Sequence, residues 1–312
     1  MKTKLLALAT ASTLISVAGA WPTGPIKLVV PYTPGGITDE LARSVGEPLS
    51  ADLKVPVIYE YKPGVSGIVG ANYVAKSKPD GYTFLLISNS IATASLTTKI
   101  PFDPLVDLRP VSLLTLTPAV VVVRKDLPVD TFDDFMRLAK ESPYKINYAT
   151  SGTGSLTHLA MEKAQQEGDF KITHVPYKGQ SEIWQDFLGG HLDALIDTPA
   201  GITKYISDKK VKVLAFTSKA RLDYMPDIQT IAESKIKDFS AYGGFLILSP
   251  AGVPDKIVNQ LSAKLASITN SPAFKTKFSP KGMISVGSTA KEAMDFLKNE
   301  QVTWKLVSDK MH

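Results

Sequence analysis

The stretch IKLVVPYTPGGITDELAR, residues 26–43, decides how the rest of the chain is read. Its first seven residues are mostly apolar and rich in β-branched side chains, a run suited to a buried strand. Pro34-Gly35-Gly36 interrupts the run. From residue 38 to 53, Leu41, Val45, Leu49 and Leu53 then recur on one face of a helix, with Pro48 inside it. A proline there removes one backbone hydrogen bond, which predicts a weakened helix end. Strand, glycine turn and helix in that order are the unit from which α/β sheets are built.

The same alternation continues outward. Residues 57–61 and 82–88 read as strands, with a helix over 67–76 between them. AVVVVR at 119–124 is dense in β-branched residues and predicts a strand buried on both faces. Thr131 with Asp134 forms a capping box that opens a helix to 140. Strand 146–149, a turn at 151–155, helix 156–166, strand 172–176, helix 181–188 and strands 192–197 and 211–217 follow. GGFLILSP at 243–250 is a further buried strand. It leads into a long helix carrying Ile257, Leu261, Leu265 and Ile268, then a short strand near 283–286. A last helix is opened by Thr289 and Glu292. The expected fold is α/β and two-lobed, each lobe a mostly parallel sheet flanked by helices. Residues 21–120 with 241–312 form lobe 1 and residues 121–240 form lobe 2.

The N-terminus departs from this pattern. Lys2 and Lys4 precede an apolar stretch from residue 5 to 17, and Ala18-Gly19-Ala20 places small residues before Trp21. That is the three-part pattern of a secretory signal peptide, too short and too Ser/Thr-rich for a spanning helix. Cleavage near Ala20 removes two lysines and no acid, leaving 292 residues at a net charge of +3. The mature protein is expected to be soluble and periplasmic. The 312 residues contain no cysteine, which excludes disulfides, thiolate metal sites, cysteine nucleophiles and a lipidated cysteine anchor. Basic residues are scattered rather than clustered, so no nucleic-acid footprint is expected.

Candidate chemistry lies at the ends of strands, where parallel sheets bind ligands. The first turn offers Tyr32, Thr33, Gly35, Gly36 and Asp39, and free amides at a helix N-terminus attract anions. Two readings stand for Asp39, a cap on the turn or a ligand contact. The second turn, Ser151-Gly152-Thr153-Gly154-Ser155, combines amides with three hydroxyls and lacks the Gly-Lys-Ser/Thr of a P-loop. His158 follows on its helix, as a structural hydrogen-bonding residue or a ligand contact. Ser88, Tyr177, Lys178 and Asp197 end or follow other strands and complete the candidate set. No histidine has metal-ligand spacing and no Gly-x-Ser-x-Gly elbow is present, so no metal, cofactor or catalytic group is expected. The alternative is a secreted enzyme with His158 as base and Asp39 or Asp197 as its partner.

Taken together, PYTPGGITDELAR, KPGVSGIVGANYVAKSKPDGYTFLL, SGTGSLTHLAMEK, HVPYKGQSEIWQDFLGGHLDALID and GFLILSPAGVP resemble the tripartite tricarboxylate transporter substrate-binding family, the Bug receptors. The resemblance spans essentially the whole mature chain. It implies a type II periplasmic binding protein, a monomer that closes on a small carboxylate for membrane transporter subunits or a sensor domain. It also implies that backbone amides and hydroxyls hold the carboxylate, at Thr33, Gly35, Gly36 and Asp39 in one lobe and Ser151, Thr153, Ser155 and His158 in the other. Two stretches depart from the family pattern. Tyr61-Lys62-Pro63-Gly64-Val65-Ser66-Gly67 stands where Asn-Arg-Pro-Gly-Ala/Gly-Gly is usual, and Pro31-Tyr32-Thr33-Pro34-Gly35-Gly36 where Pro-Phe-Pro-Pro-Gly-Gly is usual.

Overall fold

The computed structural model describes residues 21–97, 99–177 and 180–311. The proposed leader, residues 1–20, and Lys178 lie outside the described residues.

β1 (Ile26–Val30) feeds α1 (Ile37–Leu53), which continues through Pro48 because that residue lies on its exposed face, where solvent takes over the lost hydrogen bond. β2 (Val57–Tyr61), α2 (Ile68–Ala75) and β3 (Thr83–Ser88) follow, then the short α3 (Ala94–Thr97). The chain next forms an eleven-residue strand, β4 (Leu108–Pro118), and after Ala119 alone re-enters extended structure as β5 (Val120–Arg124). α4 (Phe132–Glu141) carries the expected Thr131–Asp134 capping box. β6 (Asn147–Thr150), α5 (Leu156–Gly168), β7 (Thr173–Pro176), α6 (Gln180–Leu188), β8 (Ala194–Asp197), α7 (Pro199–Ser207) and β9 (Val211–Phe216) complete the central part. β10 (Tyr242–Pro250), α8 (Asp255–Thr269), α9 (Pro272–Phe278), β11 (Ile284–Ser285) and α10 (Ala290–Asp309) close the chain.

The strands form two sheets. The six-stranded sheet has the order β11-β4-β10-β3-β1-β2 and the five-stranded sheet β7-β6-β8-β5-β9. The two-lobed α/β class stands, but the expectation that each sheet is mostly parallel needs correction, because both are mixed. β1, β2 and β3 are parallel, while β10 runs antiparallel to β3 and β4, and β11 antiparallel to β4. In the other sheet β6 is parallel to β7 and β8, and β5 antiparallel to β8 and β9. The physical reason is the crossover. β5 follows β4 directly and β10 follows β9 with no α-helix between them, and strands inserted without a crossover helix pair antiparallel.

Helices cover both faces of each sheet. Val121 and Val123 of β5 point into the core under α4 and α5, and Val120 and Val122 into the core under α6 and α7. Residues 119–123 are therefore apolar at every position because neither face sees water. One face of the six-stranded sheet packs on α1, α8 and α9 and the other on α2 and α10. α10 serves both lobes, with Ala293 and Leu297 in the core of the six-stranded sheet and Trp304 and Val307 in that of the five-stranded one.

The two crossovers are tied at one residue. Thr217 is 1% exposed; its amide donates to Ala119 O (2.9 Å) and its carbonyl accepts from Ala241 N (2.9 Å). Its hydroxyl accepts from Ala119 N (2.7 Å) and donates to Ala241 O (2.7 Å). Thr217→Val keeps the shape and strands one buried donor and one buried acceptor, which should cost about 2 kcal/mol. Urea or thermal unfolding measures this, and Thr217→Ser should recover most of the loss.

Candidate functional site

In the turn after β1, Gly35 sits at φ 91°, a conformation that excludes a side chain without strain. The turn is held from below by Asp39. Its Oδ2 accepts from Gly35 N (2.9 Å), and its Oδ1 accepts from the Tyr61 hydroxyl (2.6 Å) and lies 3.2 Å from Arg43 Nε. The Tyr61 hydroxyl above all, with the Gly35 amide and Arg43, lowers the Asp39 pKa against the opposing effect of burial. Of its two readings, the geometry matches the cap. The Gly35 amide is spent on Asp39, while Thr33 and Gly36 are exposed and line neither of the cavities between the lobes.

The turn after β6 is built the same way in the other lobe. Gly152 and Gly154 adopt φ 119° and 77°, and Ser155 Oγ caps α5 by accepting from His158 N (3.3 Å). The Gly154 amide donates to His158 Nδ1 (3.1 Å), so a glycine amide is again taken by the side chain four residues on. This bond assigns the imidazole proton to Nε2. His158 is 3% exposed and stacks on His174 with ring centroids 3.9 Å apart. His174 Nε2 lies 2.7 Å from Thr150 Oγ1, which accepts from Gly152 N (3.4 Å). Burial lowers both imidazole pKa values. His174 reaches about 4 with a further push from His158, while Glu162, 3.8 Å from His158 Nε2, pulls that ring the other way.

Two adjoining cavities lie between the lobes and share Ser90 and Leu156. The larger, about 470 Å³, is bounded on one side by Ile37, Ser88, Asn89, Phe245, Lys281 and Met283, and on the other by Leu156, Thr157, Thr198 and Ala200. The smaller, about 380 Å³, is bounded by Ser66, Ser90 and Thr93 against Thr153, Gly154 and Ser155. Ser66 holds φ 53°, a left-handed conformation rare for a residue with a side chain. A hydroxyl chain reaches the cavities from behind, Tyr32 to Ser88 (3.3 Å) to Ser90 (2.5 Å).

The candidates thus separate. Ser88, Thr153, Gly154 and Ser155 line the cavities. Tyr32, Asp39 and His158 stand behind them as supports, and Ser151, exposed, and Gly152 belong to the same turn without lining either cavity. Tyr177 donates its hydroxyl to Asp186 (2.6 Å), and burial with that bond raises its pKa to about 12. Asp197 accepts from Trp184 Nε1 (2.8 Å) and Thr198 N (2.6 Å), an anchor for α7 that leaves neither oxygen free. Among the described residues no hydrogen bond or ion pair joins His158 to Asp39 or Asp197, so the base and partner of the enzyme alternative are not assembled. Sequence reasoning placed Thr198 beside Asp197 at a strand end but missed Ser90, Thr157 and Lys281 as lining residues. Ser90 and Thr157 were within reach of the strand-end rule, since Ser90 follows β3 and Thr157 is in the first turn of α5. Lys281 is delivered by tertiary packing alone.

Residues 41–312 match the profile of the family described as "Tripartite tricarboxylate transporter family receptor". The chain belongs to this family. Protein BugT of Bordetella pertussis is 33% identical over 290 residues, 92% of this chain and 89% of its own. The solved structure of a TctC solute binding protein from Polaromonas, without ligand, superposes with a TM-score of 0.85 at 28% identity, covering 93% of this chain and 99% of its own. An R. palustris protein solved with adipate gives a TM-score of 0.73 at 29% identity, covering 93% and 97%. The receptor family thus accounts for the whole two-lobed architecture, including the mixed sheets.

The buried histidine pair makes stability depend on pH. A folded pKa below the unfolded value of about 6.5 means the unfolded chain binds more protons between the two. Stability is fully present above pH 6.5 and is lost progressively as pH falls toward about 4, the His174 value. His174→Gln should flatten the plot of melting temperature against pH across that window.

Proposed function

We propose that the protein is an extracytoplasmic solute receptor that captures a small carboxylate between its lobes and delivers it to membrane subunits of a tripartite tricarboxylate-type transporter. One observation carries this reading. Hydroxyls and helix-start amides from both lobes, Ser88 and Ser90 on one side and Thr153, Ser155 and Thr157 on the other, converge on adjoining cavities that share Ser90 and Leu156. The amides of Leu156 and Thr157 are the first two of α5 and have no acceptor within the helix. With the hydroxyls they form a neutral donor set suited to a carboxylate. Groups on both lobes give the ligand a higher affinity for the closed state, the condition for binding to drive closure.

Family membership and the adipate bound to the R. palustris relative support the carboxylate assignment. The lobes divide, in this reading, as residues 21–120 with 241–312 and residues 121–240, with α10 straddling both. The leader pattern at residues 1–20 supports export to the periplasm with cleavage near Ala20. The protein acts as a monomer, and binding rather than turnover is its task.

A thermal-shift screen of organic acids tests the proposal. Saturation at about 100 times the dissociation constant should add about 2.7 kcal/mol of stability, and a broad panel without a single stabilising acid removes the assignment. For any acid that binds, Ser90→Ala with Thr157→Val should weaken affinity about tenfold or more, through the loss of two neutral hydrogen bonds. The double variant should melt within a few degrees of the parent.

A further inference from the structure

The larger cavity is chemically lopsided. Ser88, Ser90 and Thr157 gather where it meets the smaller cavity and Thr117 and Thr198 add two further hydroxyls, whereas Ile37, Ala119, Ala200, Phe245 and Met283 make much of the remaining wall apolar. Among the described residues Lys281 is the one charged residue lining either cavity, and its ammonium is already in contact with Glu40, which also has Lys277 Nζ at 3.7 Å. Ile37 is 39% exposed as the first residue of α1. An isoleucine half in water stabilises little by itself, and its side chain gains a role only when something apolar covers it.

We propose that this receptor takes carboxylates with an apolar body, the carboxylate on the hydroxyl turns and the hydrocarbon against Ile37, Leu156 and Phe245, and rejects hydroxylated acids and tricarboxylates. The inference rests on the carboxylate-receptor reading and narrows it. A second or third carboxylate held in the apolar part would have to take Lys281 from Glu40 or stay buried without a partner, and burying an unpaired charge is strongly unfavourable. A ligand hydroxyl set against Ile37, Phe245 and Met283 loses water without finding a donor or acceptor on those side chains. Each methylene that reaches the apolar wall, by contrast, strengthens binding by roughly fourfold.

The experiment is a calorimetric or thermal-shift series on the mature protein, stripped of bound ligand by unfolding and refolding. The straight-chain acids propionate, butyrate, pentanoate and hexanoate are compared with tartrate and citrate. The expected result is a stepwise rise of about fourfold per methylene from propionate upward, with tartrate and citrate weaker than hexanoate. A flat or falling series, or a tightest ligand that is tartrate or citrate, overturns the proposal and leaves the carboxylate reading intact. Failure of every acid to bind removes the carboxylate reading itself. Two variants locate the effect. Ile37→Ser, at an exposed helix start, should leave the melting temperature unchanged and weaken hexanoate about fourfold while leaving propionate unaltered, and Ile37→Leu should restore hexanoate. Equal weakening of both acids by Ile37→Ser counts against the proposal. Glu40→Gln, which releases the charge of Lys281, should strengthen citrate relative to hexanoate, and no change in that ratio also counts against it.

Discussion

The chain passes between its two sheets at Ala119 and again before Tyr242, and one threonine holds the two passages together. Because Thr217 bonds to Ala119 and Ala241 through both backbone and hydroxyl, the crossing strands are fixed in register where they leave one lobe for the other. The pairing of Tyr242 with Pro118 then aligns β10 with β4 along the six-stranded sheet. The clasp sits where the chain passes between the two mixed sheets, whose lobes bound the cavities between them. The ends of β3 and β6 and the start of α7 consequently face a common space, although more than a hundred residues separate Ser90 from Thr198.

Within that frame the lobes solve the same local problem with different side chains. Each needs a glycine turn presented rigidly to the cleft, and each spends one glycine amide to obtain it. Asp39 takes the amide of Gly35 and His158 that of Gly154. The aspartate works ionised and is kept so by Tyr61 and Arg43. The histidine works neutral and is kept so by burial. Neither side chain is among the residues bounding the two cavities, and each is committed to a backbone amide of its own turn.

Much of this was legible in the sequence, for identifiable reasons. The βα units announced themselves through β-branched runs and helical spacing, and the helix starts at Thr131 and Thr289 through their capping boxes. β4 did not, because Pro110, Ser112, Thr115 and Thr117 break its apolar pattern. Ser112 is buried nonetheless, since its hydroxyl finds Ser288 O (2.8 Å), a partner 176 residues away that no local pattern can reveal. The same limit applies to the site. Ser88, Thr153, Gly154 and Ser155 follow strands and could be found from the chain alone. The commitment of Asp39 to Tyr61 and of Asp197 to Trp184 depends on neighbours supplied by the fold.

α10 has a mechanical consequence. It is a single 20-residue helix, about 30 Å long, and its two ends are embedded in different cores, Leu297 in one lobe and Trp304 with Val307 in the other. Gln166 Nε2 also donates to Val307 O (3.0 Å), tying the far end to α5. A rod fastened on both sides of a pivot does not permit free swinging. Any rotation of one lobe against the other must slide or bend this helix or disturb the packing around Leu297 and Trp304 that fastens it.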